Sequence, residues 1–156
     1  MKSLVGLVLI AFFIFFSCSD PVDPAPIVVI DGKFLVNTNG WVVTSSTKDD
    51  GQSTKDLFAH YTACVADNVY KFLGDGVYSI DEGLKKCDTT DLQTKEGGEW
   101  KLKGSSLTLS PGGDVPYQFT ISSLTEQQHV FTYLEIGANG IVNSVTTITF
   151  KPSSGL

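Results

Sequence analysis

The chain has 156 residues, with seventeen acidic against eleven basic side chains and a net charge of −6. Every basic residue is a lysine, which excludes bidentate arginine recognition of phosphate or guanine, so no nucleic-acid partner is expected. The length suits one domain once the N-terminal segment is set aside.

That segment comes first in chain order. Lys2 precedes an unbroken apolar run over residues 4–16, LVGLVLIAFFIFF. The run has the length of a signal-peptide core and falls short of the roughly 20 residues a membrane-spanning helix needs. It ends in Phe15-Phe16-Ser17-Cys18, which resembles a lipobox, a small residue directly before the cysteine that becomes the mature N-terminus. Phe15 departs from the aliphatic residue usual there. Residues 1–17 therefore read as a signal peptide, Cys18 as a lipidation site and the chain as an exported lipoprotein. Its first partner is then a membrane, reached through the lipid anchor, because several acyl chains on one residue exceed what stable anchoring requires. Residues 18–27 hold Pro21, Pro24 and Pro26 and show no helical or strand periodicity, so they read as a semi-rigid tether. Ser19 after the cysteine, in place of Asp, fits onward transport to an outer membrane. The expected location is the cell envelope, either periplasm-facing or on the cell surface.

Three cysteines remain to be accounted for. With Cys18 spent on lipid, Cys64 and Cys87 form an even pair in an oxidising compartment and read as a disulfide. Closing that loop stabilises the domain by roughly 3 kcal/mol on the chain-entropy model. The competing zinc or redox reading wants C-x-x-C spacing or nearby histidines. His60, four residues before Cys64, is one neighbour and not a site. No metal and no cofactor is expected.

Residues 28–156 repeat short alternating runs with turn residues between them. Residues 41–45 (WVVTS) open the domain as a strand. Residues 69–73 (VYKFL) meet 77–80 (VYSI) across Gly74-Asp75-Gly76, a hairpin signal because glycine allows positive φ. Residues 100–102 and 107–109 alternate about Lys103-Gly104-Ser105-Ser106, and 117–121 (YQFTI) alternate cleanly. Residues 130–136 and 141–150 form a last hairpin across Gly137-Ala-Asn-Gly140. The expectation is eight strands in an antiparallel meander or sandwich. One helix interrupts: Ser53-x-x-Asp56 reads as a capping box, followed by an apolar stripe of Leu57, Phe58 and Tyr61. It is too short to stand alone, so it should lie over a barrel end with Cys64 at its far terminus.

The ordered set Gly40-Trp41, Cys64-x-x-Asp67-Asn68-x-Tyr70-x-Phe72, Gly74-Asp75-Gly76-x-Tyr78, Cys87, Gly98-x-Trp100-x-Leu102 and Tyr117-x-Phe119-x-Ile121 resembles the lipocalin-like domains of Bacteroidetes lipoproteins. The resemblance implies an all-β, eight-stranded antiparallel up-and-down barrel with one short helix, and a binding role inferred from shape. Two departures stand out. Asn39 occupies the place of the glycine in the lipocalin G-x-W pattern, and the arginine that packs on that tryptophan is missing, with Lys151 as a substitute.

Alternation assigns an inward set of Trp41, Val43, Tyr70, Phe72, Tyr78, Ile80, Trp100, Leu102, Leu107, Leu109, Tyr117, Phe119, Ile121, Val130, Leu134, Ile148 and Phe150. An eight-stranded barrel is just wide enough to be filled by side chains or to hold one small ligand. The ligand-binding candidates are Trp41, Phe72, Tyr78, Trp100, Tyr117 and Phe119. So many large rings favour a filled barrel acting through its surface, with a small apolar ligand carrier as the alternative. The same alternation turns Phe131 and Tyr133 outward, a candidate surface for an envelope protein partner, unless residues 27–30 cover them. A monomer is expected.

No catalytic constellation is legible. His60 and His129 lack a nucleophile elbow nearby, and His129, after Glu126-Gln127-Gln128, reads as solvent-facing. Asp49-Asp50-Gly51 lacks the alternating carboxylates of a calcium loop and reads as a turn. Asp81 and Glu82 are adjacent at a strand end and point to opposite faces, which rules out a carboxylate dyad. The expected role is non-catalytic.

Overall fold

A computed structural model describes residues 30–154. The signal-peptide run, Cys18 and the proline tether lie outside the described residues.

Among the described residues nine strands form one antiparallel sheet: β1 (Trp41–Asp49), β2 (Thr54–Asp56), β3 (Val69–Phe72), β4 (Val77–Asp81), β5 (Thr94–Lys103), β6 (Ser106–Ser110), β7 (Tyr117–Leu124), β8 (His129–Ile136) and β9 (Val142–Pro152). Each neighbour in the order β1-β3-β4-β5-β6-β7-β8-β9 is paired, and β9 pairs back to β1, so eight strands close an up-and-down barrel. Closure removes the free edges that an open sheet of such β-rich segments would expose. The expected barrel and its strand order are both present. The ninth strand, β2, is an addition. It hangs on Thr47, Lys48 and Asp49 of β1, while the first two residues of that same edge, Trp41 and Val42, pair with β3.

The expected helix, from the Ser53-x-x-Asp56 capping box through Leu57, Phe58 and Tyr61 to Cys64, does not form. Thr54–Asp56, where the capping box was placed, is strand, and Asp56 accepts from the Ala59 amide within a short 3-10 turn, Phe58–His60. The only α-helical turn among the described residues is α1 (Ala63–Ala66), with Cys64 inside it and not at a helix terminus. Pairing with β1 outcompetes a helix that is too short to hold itself together. Cys64 and Cys87 are bonded, with Cα atoms 5.1 Å apart, as expected from their parity. The bond ties α1 to the long connection between β4 and β5.

Two turns show why glycine stands where it does. At β4–β5 the register shifts between Tyr78 and Ser79, leaving Gly97 as the extra residue of a bulge. Gly98 has φ +128°, and a Cβ there would run into the Ser110 carbonyl. In the β3–β4 hairpin, Leu73 N–H donates to the Val77 carbonyl and Gly76 sits at φ +87°. Glycine alone fits both places without strain.

One end of the barrel is sealed. A 3-10 turn, Gly32–Phe34, capped by the Asp31 side chain, brings Leu35 into the interior, where it is fully buried. Trp41 Nε1 donates to the Leu35 carbonyl at 2.8 Å, fastening this plug to the start of β1. Around the plug pack Phe72, Leu107, Ile121, Leu124, Phe131 and Phe150, all buried. The other end carries the loops after β1, β4, β6 and β8.

Candidate binding site at the open end of the barrel

The interior is graded along its axis. Near the plug the rings interlock: Phe131 lies 5.0 Å from Phe150, Phe72 meets Trp100 edge-on at 6.1 Å, and His129 lies over Trp41 at 3.4 Å. Trp41, Phe72, Tyr78 and Trp100, four of the six ligand-binding candidates, belong to this packed half or its margin. Trp100 Nε1 also donates to the Leu73 carbonyl, which fixes it as structure. Only Phe119 and Tyr117 of that set reach the open half. Tyr117 is 49% exposed at the rim.

β8 corrects the sequence reading most. Phe131 is buried and Tyr133 lies 5.9 Å from Phe119, so both rings point into the barrel. Val130 and Leu134 take the outer face, and Leu134 is 45% exposed. Alternation could not fix the phase because both faces of this strand are apolar; a β7 bulge between Ile121 and Ser123 shifts its register against β8. The outward aromatic pair offered as a partner surface is therefore not on the surface.

His129 follows the same phase. It is fully buried, not solvent-facing, and its Nε2 lies 2.9 Å from the Phe34 carbonyl. A carbonyl only accepts, so Nε2 carries the hydrogen and Nδ1, buried without a partner, is the bare nitrogen. Burial pushes its pKa down to about 4, with the Phe34 carbonyl acting in the opposite sense. Lys151, the expected cover for Trp41, is exposed at the end of β9, and the His129 ring occupies that place.

Towards the open end the lining becomes aromatic and polar. Tyr70 stacks edge-on against Phe150 at 5.6 Å. Burial raises its phenol pKa first, and the neighbouring phenols of Tyr61 and Tyr78 add to the rise. Burial raises Tyr78 likewise, with Tyr117 contributing. Tyr70 and Tyr78 stand on the adjacent strands β3 and β4. On the wall made by β1, β8 and β9, Lys48 pairs with Glu135 at 2.7 Å, and Ser144 Oγ donates to the same carboxylate at 2.9 Å. One inward step below Lys48, Ser46 is 1% exposed and its hydroxyl has no hydrogen-bond partner. Lys48 and Ser46 carried no sequence signal, since a β1 bulge between Val43 and Ser45 sets their direction, and Glu135 shares the ambiguous phase of β8.

The barrel wall itself opens here. β7 and β8 pair from Leu124↔His129 up to Thr120↔Thr132 and no further. Above that point Tyr117 and Phe119 face a recess of about 460 Å³ lined by Asp114, Val115, Pro116, Tyr117 and Tyr133, or the groove beside it. That volume lies in the range of small-ligand sites. A second recess, about 370 Å³ beside the plug, is lined by Lys33, Phe34, Asn37, Thr38, Trp41 and Glu126 among others. Asp81 and Glu82 are each engaged by a lysine, Lys71 at 3.3 Å and Lys95 at 2.7 Å, and hold the disulfide loop.

A closed antiparallel barrel sealed at one end and lined with aromatic rings at the other is the architecture of a binding protein. Residues 36–131 match the family model described as a lipocalin-like domain. The match spans more than half of the chain, and the chain belongs to that family. No curated protein matches it. The lipocalin-like family is in general a non-catalytic binding fold.

Proposed function

We propose that this protein is a membrane-anchored lipoprotein of the cell envelope, carried to the outer membrane, whose barrel binds one small, largely apolar ligand at its open end. The observation that carries the binding reading is the division of the interior. The plug half is packed solid, whereas Tyr117 and Tyr133 line a recess of about 460 Å³ where the wall parts, with Phe119 5.9 Å from Tyr133. The inward placement of Phe131 and Tyr133 removes the outward aromatic pair on which a surface-acting barrel rested.

The anchor rests on the sequence: an apolar run ending in Ser17-Cys18, followed by a proline tether. Native mass spectrometry of the protein released from its own membranes tests both halves together. The expected spectrum shows a chain starting at Cys18 with acyl mass on it, plus a non-covalent passenger that leaves on activation. An unmodified chain that begins at Met1 contradicts the anchor, and a bare chain without a passenger contradicts the carrier.

A further inference from the structure

The parting of β7 and β8 leaves more than an entrance. Tyr117 pairs with Leu109 and Phe119 with Leu107 on the β6 side, and nothing pairs with them on the β8 side. Tyr133 to Ile136 likewise pair only with β9. Two strand edges therefore face a groove of about 310 Å³ lined by Pro116, Gln118, Phe119, Tyr133, Leu134 and Ile136 among others. The direction of the backbone groups can be read from the paired section below. The Val130 carbonyl accepts from Ser122 Oγ and the Thr120 carbonyl from Thr132 Oγ1, so both carbonyls point across the β7–β8 interface. Backbone direction alternates along a strand, which turns the N–H and C=O of Leu134 and Gln118 into the groove. Their side chains lie on the outer face, where Leu134 is 45% and Ile136 64% exposed, with Val142 beside Ile136.

We propose that this groove takes an extended polypeptide segment, which adds as a strand to the edge of β8 through the Leu134 backbone and lays alternate apolar side chains beside Leu134 and Ile136. The chemistry selects this occupant. A hydrocarbon chain covering the groove would strip water from the edge amides and give nothing back, a costly exchange. An extended peptide supplies both the missing hydrogen-bond partners and, on alternate positions, the apolar contacts. Charge narrows it further. The chain is acidic overall, Asp114 lines the adjoining recess, and the Glu135 carboxylate is taken by Lys48, so the fitting segment is uncharged or basic. The groove adjoins the ligand recess and shares Pro116 and Tyr133 with it, but its recognition runs through the strand edge, which the peptide test reads by itself.

The test uses the full chain in detergent micelles and a fluorescein-labelled octapeptide of alternating valine and threonine, read by anisotropy. Leu134→Pro deletes the groove-facing N–H without touching the β9 ladder, and proline is tolerated on strand edges. It should lower peptide affinity at least tenfold, and clearly more than Leu134→Ala, which keeps the N–H and loses only the side-chain contact. Should Leu134→Pro not fold, two octapeptides N-methylated on odd or on even residues decide instead: one should bind like the parent and the other lose at least tenfold. Equal binding by Leu134→Pro and wild type, equal binding of both methylated peptides, or no saturable signal at millimolar chain overturns the proposal. Peptide-independent dimerisation abolished by Leu134→Pro also overturns it, with a second copy as the true occupant.

Discussion

Acid should weaken this fold through one histidine before it touches the carboxylates. His129 is fully buried against Trp41 with Nδ1 unpartnered, and its pKa falls from 6.5 to about 4. The folded state thus refuses a proton that the unfolded chain accepts below pH 6.5. Stability from this group is complete above the unfolded pKa and is lost as pH falls towards the folded one. A shift of 2.5 units corresponds to about 3 kcal/mol in full, of which about 2.5 kcal/mol goes between pH 7 and pH 4.5. Asp81, Glu82 and Glu135 have pKa values below the usual carboxylate range and contribute their own loss at lower pH still. The window from pH 7 to 4.5 therefore belongs mainly to His129. Urea melts of residues 19–156 at half-unit intervals measure it, alongside His129→Phe, which keeps an aromatic ring on Trp41 and cannot titrate. The variant should be nearly flat across that window. Equal slopes in the two proteins, or a flat wild type, would refute the buried neutral imidazole.

Two further outcomes follow from packing and from the cross-link. Phe72 is 2% exposed within the plug half, and Phe72→Ala should cost about 3–5 kcal/mol in denaturant melts, whereas Tyr117→Ala at the rim should cost less than about 1 kcal/mol. Similar losses at both sites would mean that the interior is not divided. Replacing Cys64 and Cys87 together by serine should cost about 3 kcal/mol, and thiol counting on the denatured, unreduced domain should find neither cysteine free; two free thiols would remove the staple.

How far the sequence carried depended on how one-sided each segment was. Residues 117–121 alternate sharply, and their inward Phe119 and Ile121 stand as expected. The Gly74-Asp75-Gly76 turn named its hairpin because backbone conformation there demands glycine. β8 was ambiguous because His129, Phe131 and Tyr133 compete with Val130 and Leu134 for one core. A single-residue change of phase exchanges the two sets. Residues 53–61 misled because a capping motif is local, while the pairing of Thr54–Asp56 with β1 is a tertiary fact. The open-end site was half legible. Tyr117 and Phe119 came from alternation, but Tyr133, Ser46 and the Lys48–Glu135 pair depend on bulges that leave no mark on the residue pattern.

The proposed carrier requires a barrel that is solid at the plug and receptive where β7 and β8 part. Titrating residues 19–156 with the apolar fluorophore N-phenyl-1-naphthylamine tests it most directly. Saturable one-to-one binding is expected, which Tyr117→Ala and Tyr133→Ala each weaken about tenfold, the equivalent of about 1.4 kcal/mol of lost contact. Leu84→Ala, on the disulfide loop and 81% exposed, should leave it unchanged. Non-saturable binding, or the same affinity in all four proteins, would contradict a ligand site at the open end.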